Sequence, residues 1–343
     1  TVYCLGKCYD GPSDCGHDFR PHISSCARRT VLLGNVLAGG VHDLAAYQQR
    51  GGGLALARAH TLTANDPICM VRDSGLRGRG GAGFPAGSKW QAVAKEQTST
   101  KYLVINADEG DPGSYIDKYI MERDPFALLE GMALAAYASH ATRGFVYVRS
   151  EYPHSVAVLR EAVQRAAAAG YLGDDVRGSG KAFHLHVRMA AGSYVCGEET
   201  ALLESLEGKR GIVRAKPPLP AIEGLFGKPT LIHNVISLAS VPLILARGAD
   251  FYRDFGVANP WSGNFMAMLS RLWFQRWVTM LTLGYHLRTD HNGRPTVDFK
   301  DGNGPVLVKD TRDTFDIGIA TSVYLGKRKQ WGIDLEWIIP IPS

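Results

Sequence analysis

Between residues 101 and 206 the chain alternates short apolar runs with longer helix-patterned segments, and this alternation limits its architecture more than any other feature. KYLVIN (101–106) is an apolar run ended by polar residues, the pattern of a buried strand. Asp124-Pro125 marks a helix start, with a side-chain acceptor at the N-cap and proline in the first turn, and the helix continues through FALLEGMALAAYA. GFVYVRS (144–150) reads as the next strand, and HSVAVLREAVQRAAAAG (154–170) as a helix with a glycine stop. Residues 181–188 form a further strand, and 198–206 a short helix closed by Gly208. The order β-α-β-α-β-α predicts an α/β architecture with at least part of the sheet parallel.

The flanks differ from this middle. Residues 1–60 read as loop-rich and then, from about 30 to 60, as helical with breaks at Gly39-Gly40 and Gly51–Gly53. Residues 258–343 hold no cysteine and carry alternating aromatic segments (TVDFK, TFDIGIATSVYLG, WGIDLEWII), which predict strands with turns at NGRP and DGNGP. The expected division is therefore 1–60, 61–257 and 258–343. With 343 residues, 45% hydrophobic and 21% charged, the chain has enough material for a sizeable core. A net charge of +5 without any Lys/Arg run argues against nucleic acid and suits phosphate-bearing ligands. The longest apolar stretches, such as 238–246, fall well short of the ~20 residues of a membrane span. Six cysteines are too few for a disulfide scaffold, which places the chain in a reducing, cytoplasmic compartment.

GLRGRGGAGFPAGSKW (75–90) concentrates glycine and positive charge. Gly78-x-Gly80-x-x-Gly83 fits the dinucleotide fingerprint in letters, and Asp108 follows at about the expected distance. That fingerprint needs a strand immediately before it and a helix immediately after. Upstream lies NDPICMVRDSGL, a poor strand, and downstream Phe84-Pro85, through which no clean helix start is expected. No G-x-x-x-x-G-K-[ST] register fits either. The chemistry still points to a phosphate or a flat anion: glycines let backbone N–H groups approach a ligand, and Arg79 and Lys89 add charge as a fork and a point. A flexible surface loop with solvated arginines is the competing reading.

Three further motifs follow in order: NADEGDPGSYIDKYIMERDP from Asn106, AGSYVCGEETALLESLEGKRG from Ala191 and KPPLPAIEGLFGKPTLIHNV from Lys216. With the glycine loop they make residues 60–257 closely resemble the family of NADH-oxidising FMN flavoproteins (51 kDa-type) found in respiratory complex I. That family includes the diaphorase subunits of NAD-linked formate dehydrogenases and NAD-reducing hydrogenases. The resemblance implies a Rossmann-like FMN- and NADH-binding domain, and an FMN-dependent NADH dehydrogenase that hands electrons to iron–sulfur partner subunits.

It also implies ligands. Gly78, Arg79, Gly80, Gly81 and Lys89 would cradle FMN, with Phe84 near the nicotinamide. Asn106, Asp108, Glu109 and Gly110 would meet the flavin and its ribityl chain. Asp111 stands where complex I subunits usually carry glutamate for the dinucleotide. Tyr194, Gly197, Glu198 and Glu199 would surround flavin and nicotinamide, with Glu199 closest to a catalytic role. For Glu198 and Glu199, favourable placement in the first turn of a helix is the structural alternative, worth ~0.3–1 kcal/mol. Lys216 would contact the dinucleotide, and Leu219 replaces a usual phenylalanine. Ile232, His233 and Asn234 would close the flavin site, with His233 alternatively a satisfied core histidine.

The ends depart from the family. Cys4 and Cys8 look like the second cysteine pair of a thioredoxin-like [2Fe–2S] domain, so residues 1–60 are expected to be a remnant of one plus linker helices. A cluster there would need thiolates from before Thr1. No cysteine follows Cys196, so the family's [4Fe–4S] site is absent from this chain, and residues 258–343 resemble nothing recognised. The alternative to an enzyme is a truncated or chimeric relative that only binds nucleotide, flavin or partner subunits.

Overall fold

A computed structural model describes Ile23 and residues 30–111 and 113–253 with their side chains, and residues 254–256 and six C-terminal strands as backbone. Two compact units emerge, Thr1–Val257 and Ala258–Ser343. Cys4 and Cys8 lie outside the described residues.

The first unit is built on four strands: β1 (Tyr102–Ala107), β2 (Arg143–Val148), β3 (His184–Met189) and β4 (Thr230–Asn234). All pairings are parallel, in the spatial order β3-β2-β1-β4. Among the described residues twelve α-helices accompany them. Three short ones, α1 (Gly34–Leu37), α2 (Leu44–Gln49) and α3 (Leu54–Ala59), are separated at the expected glycine breaks. Then come α4 (Asn65–Asp73), α5 (Ala86–Lys95), α6 (Ile116–Arg123), α7 (Pro125–Ser139) and α8 (Pro153–Ala168). The last are α9 (Glu199–Leu206), α10 (Val235–Ala239), α11 (Val241–Arg247) and α12 (Ala249–Gly256).

Strand alternation divides the core. Leu103, Ile105 and Ala107 of β1 join the large cluster formed with α3–α5, α7, α8, α10 and α11. Tyr102 and Val104 face the opposite way, into a smaller cluster with Leu202 and Leu203 of α9 and Ile232 of β4. A fully buried aliphatic side chain in such a core contributes ~1.5–3 kcal/mol relative to exposure. Helix α7 is apolar on every side and nearly all buried, because it is clasped between the sheet and its helical neighbours. Its Gly131 is required by packing: a Cβ there would stand 2.0 Å from the Leu238 carbonyl oxygen of α10.

Two local expectations need correction. Asp124 does precede α7, but its carboxylate accepts from Asn35 Nδ2 at 2.8 Å and makes no capping bond. A helix also starts directly after Phe84-Pro85: Pro85 is the N-cap of α5, with Ala86 its first residue. Proline suits that place because its fixed φ is compatible with helix entry and its missing N–H is not needed there. The dinucleotide fingerprint still fails, since the segment before the glycines is helix α4 rather than a strand.

In the second unit, β5 (Gly263–Trp273), β6 (Trp277–Leu287), β9 (Thr314–Leu325) and β10 (Trp331–Pro342) form an antiparallel sheet in the order β10-β9-β6-β5. Strands β7 (Thr296–Asp298) and β8 (Val306–Val308) make a separate antiparallel pair. The expected turns NGRP and DGNGP lie outside the described residues. Among the described residues no helix is long and apolar enough to cross a membrane.

Candidate functional site

Strand order dictates where the site forms. The chain runs outward from β1 through β2 to β3, then returns to add β4 on the other side of β1. Such a reversal opens a crevice beyond the carboxyl ends of β1 and β4. A cavity of about 420 Å³ lies there, bounded by Asn106 at the end of β1, by β4, by the glycine loop and by the first turns of α5 and α9. This volume falls in the range of small-molecule sites, ~300–1,000 Å³.

The glycine loop forms one wall through Gly78, Arg79, Gly80 and Gly83, with Phe84, Ser88 and Lys89 beside it. Gly81 has φ 105 and Gly83 φ 61, in the left-handed region that L side chains avoid, and a Cβ on either would meet open space. The need there is for backbone conformation. Gly87 is different: a Cβ on it would lie 2.6 Å from Arg72 Cα, so it allows α5 to pack on α4. The loop is tied to β4 through Ser237. The Arg79 amide donates to Ser237 Oγ at 3.1 Å, and Ser237 Oγ donates to Asn234 Oδ1 at 2.5 Å. Asn234 Oδ1 also accepts from the Ser237 amide, which caps α10.

The opposite wall carries the charge. Glu198 is the N-cap of α9, accepting from the Thr200 and Ala201 amides at 2.8 and 3.0 Å and from the Thr200 hydroxyl. Burial works against its ionisation, but these donors and Lys216 hold it below the usual carboxylate range. Lys216 Nζ lies 2.9 Å from Glu198 Oε1 and 2.8 Å from Glu199 Oε1. Lys89 Nζ lies 3.5 Å from Glu199 Oε2 and 3.4 Å from the Ile232 carbonyl oxygen. Glu199 therefore stands between the two lysines. Phe84 and Leu219 line the same cavity and are about half exposed, at 47% and 50%.

His233 lines the cavity from β4, but its ring is committed elsewhere. Trp90 Nε1 donates to its Nε2 at 2.9 Å. Burial, assisted by Lys89, pushes its pKa down to about 3. It is a neutral core histidine at the back of the site.

The acidic loop after β1 is divided. Asn106 reaches the cavity and donates from Nδ2 to the Gly197 carbonyl at 2.7 Å. Asp108, Glu109, Gly110, Asp111 and Tyr194 do not line it, nor does Gly81. Glu109 Oε1 accepts from Ser114 Oγ and the Asp117 amide, and its Oε2 from the Lys118 amide and Tyr152 hydroxyl. Tyr194 donates to Asp111 Oδ1 at 2.8 Å, and its ring covers Gly110. Asp108 Oδ2 is buried without a hydrogen-bond partner. Burial, opposed by Arg149, pushes the Asp108 pKa up to about 6.

Sequence reasoning missed Ser88, Ala92 and Ser237. Residues 85, 88, 89 and 92 share one face of a helix, so accepting a helix after Pro85 would have revealed the first two. Ser237 left no local signal, because its role depends on contact with a residue 158 positions away. Among the described residues no cluster of His, Cys, Asp and Glu could hold a metal.

A glycine-lined cavity with paired lysines, at the reversal point of a parallel sheet, defines a site for a phosphate-bearing cofactor. Residues 71–243, just over half the chain, match the family model of the Nuo51 FMN-binding domain, and the chain belongs to that family. It is 49% identical over 227 residues to an NADH-quinone oxidoreductase subunit of Rhizobium meliloti, covering 66% of this chain and 54% of that protein. The HndC subunit of the NADP-reducing hydrogenase of Solidesulfovibrio fructosivorans is 46% identical, with 60% and 41% covered. The NAD+-reducing [NiFe]-hydrogenase in its air-oxidized state superposes with a TM-score of 0.56 at 35% identity, covering 70% of this chain and 38% of that one. The chain thus spans about half the length of these curated relatives or less.

The residues present fit FMN. A Cβ on Gly80 or Gly83 would meet open space on the cavity side of the loop, and Lys89 places a cation in the same wall.

Proposed function

We propose that this chain is an FMN-dependent NADH:acceptor oxidoreductase module, a diaphorase, carrying flavin and dinucleotide in the cavity between β1 and β4. The observation that carries this reading is the joining of a glycine loop, two lysines and two carboxylates around one cavity at the end of a parallel sheet. When bound, FMN supplies the two-electron chemistry, and the protein supplies binding, orientation and electrostatics.

The glycine loop and Lys89 hold the flavin phosphate, and Asn106 and Asn234 fix the cofactor at the ends of β1 and β4. Phe84 and Leu219 offer apolar surface to the dinucleotide at the mouth. Glu198 and Glu199 orient Lys216 toward it, so Glu199 is a positioning group rather than an acid or base. Asp108, Glu109, Gly110, Asp111 and Tyr194 form the shell beside the cofactor. The module works in the cytoplasm within a larger assembly of the complex I, hydrogenase or formate dehydrogenase type, whose iron–sulfur subunits accept the electrons.

The test is to add FMN to the purified chain, remove the excess and record the visible spectrum before and after anaerobic NADH. Retained flavin that bleaches with NADH is the expected result. If no flavin is retained, the enzyme reading fails and a non-catalytic relative replaces it. Retained flavin that NADH does not bleach leaves a flavin-binding module only.

A further inference from the structure

A polar cluster behind the acidic loop contributes nothing to the cavity wall. It centres on Tyr152, at the start of α8. The Arg149 guanidinium lies 5.0 Å from the centre of the Tyr152 ring, and the Lys118 ammonium 5.6 Å from it. The Tyr152 hydroxyl donates to Glu109 Oε2 at 3.3 Å. Lys118 in turn is paired with Glu122, which also accepts from Ser155 Oγ at 2.6 Å.

Arg149 is the member of this cluster that reaches the acidic loop beside the site. It stands one residue beyond β2, and its amide donates to the Ala107 carbonyl at the end of β1. Its Nη1 donates to the Glu109 carbonyl. Glu151 holds the other side of the guanidinium, with Nη2 3.1 Å from Oε1 and Nε donating to Oε2 at 3.2 Å. The loop from 107 to 109 is thus pinned at both ends by one residue, and Asp108 lies between the pins.

We propose that Arg149 is a positioning residue of the site: it fixes the Ala107–Glu109 loop through two backbone carbonyls and so holds Asp108 in place between them. The inference rests on the flavin-binding reading for its purpose and on these contacts for its substance. Two charged groups act on Asp108: Arg149 favours its ionisation and Glu151 opposes it. The neighbouring Glu109 is engaged by four donors of its own. Burial raises the Asp108 pKa to about 6, and Arg149 keeps it from rising further. A guanidinium is charged at every working pH and can hold a carbonyl and a carboxylate together, which lysine does less well. At neutral pH the loop accordingly offers an ionised acceptor in a buried setting.

The test is a carbon-13 NMR titration of the aspartate carboxyls in the ligand-free full chain, with Asp108→Asn identifying the resonance. The unsubstituted protein should show a midpoint near 6. Arg149→Met should raise it by about one pH unit, the low end for loss of a nearby opposite charge, and Arg149→Lys should restore most of the difference. Loss of packing alone would loosen the burial of Asp108 and lower the midpoint rather than raise it. An unchanged midpoint in folded Arg149→Met overturns the proposal. If Arg149→Met does not fold, Arg149→Gln serves instead: it should raise the midpoint in the same direction, and no change there overturns the proposal equally. In parallel, FMN binding should weaken about tenfold in Arg149→Met, the size expected for one lost charge-assisted contact. If the unsubstituted chain binds no FMN while the midpoint still moves, the flavin reading fails and the placement of Arg149 stands.

Discussion

Two charged, glycine-containing loops border the same crevice, and they use similar residues in opposite ways. The loop from Gly78 to Phe84 puts Gly78, Arg79, Gly80, Gly83 and Phe84 in the cavity wall, and Lys89 of the following helix makes long contacts to Glu199 and Ile232 and lies 5.9 Å from the centre of the Phe84 ring. The loop from Asn106 to Asp111 turns most of its carboxylates inward. Glu109 is saturated by four donors, Asp111 accepts from Tyr194, and only Asp108 has an orphaned oxygen. Glu109 is drawn inward by helix α6, whose first-turn amides need acceptors: it bonds those of Asp117 and Lys118. The glycine loop instead ends at Pro85, the N-cap of α5, with no side chain of its own capping that helix. Acidic letters near a cofactor site are therefore as often scaffold as ligand.

The largest predicted effect falls on the open loop. Lys89→Ala should weaken FMN binding roughly 10–100-fold, as expected for loss of one charged hydrogen-bonding partner, with little change in thermal stability. Flavin fluorescence titration and a melting curve together check both halves of that statement. The inverse should hold across the crevice. In Glu109→Gln any orientation of the amide sets its NH2 against backbone or hydroxyl donors, so stability should fall by ~1–3 kcal/mol. FMN affinity measured on the folded fraction should change far less than in Lys89→Ala. A Glu109 variant of full stability and lost FMN affinity would break the contrast.

The smallest effect concerns Asp117, on the first turn of α6, whose Oδ1 is buried without a partner. Burial, and then the nearby Glu109, raise its pKa from 3.8 to about 8. The folded state therefore holds this proton more tightly than the unfolded chain. Its contribution to stability is full below 3.8 and is lost as pH rises through about 8. Asp117→Asn, which stays neutral, should gain in melting temperature relative to the unsubstituted protein between pH 5 and pH 8. A constant difference across that range would show that Asp117 ionises freely.

Much of the fold was legible because its signals are local. The apolar runs at 101–106 and 144–150 became β1 and β2, and glycine stops such as Gly170, with φ 74, end their helices as expected. The glycine breaks in residues 30–60 separate α1, α2 and α3. Phe84-Pro85 misled because proline disrupts a helix interior but is well placed at its start, and the sequence does not say which position it holds until the following turn is weighed. The four motifs come together around one crevice. They did not separate residues open to the cavity, such as Lys89, Asn106 and Glu199, from Glu109, which does not line it, or from His233, whose ring nitrogen is committed behind it. For His233 the commitment comes from Trp90, 143 positions away in the chain, and for Glu109 from donors 5 to 43 positions on.

The central claim is that the glycine loop, rather than the acidic one, meets the flavin phosphate with its backbone. Amide hydrogen exchange of the full chain with and without FMN tests it most directly. Peptides covering residues 78–84 should gain protection on FMN addition, while those covering 113–118, where the Asp117 and Lys118 amides already bond Glu109, should change little. FMN binding that leaves 78–84 unprotected would contradict it.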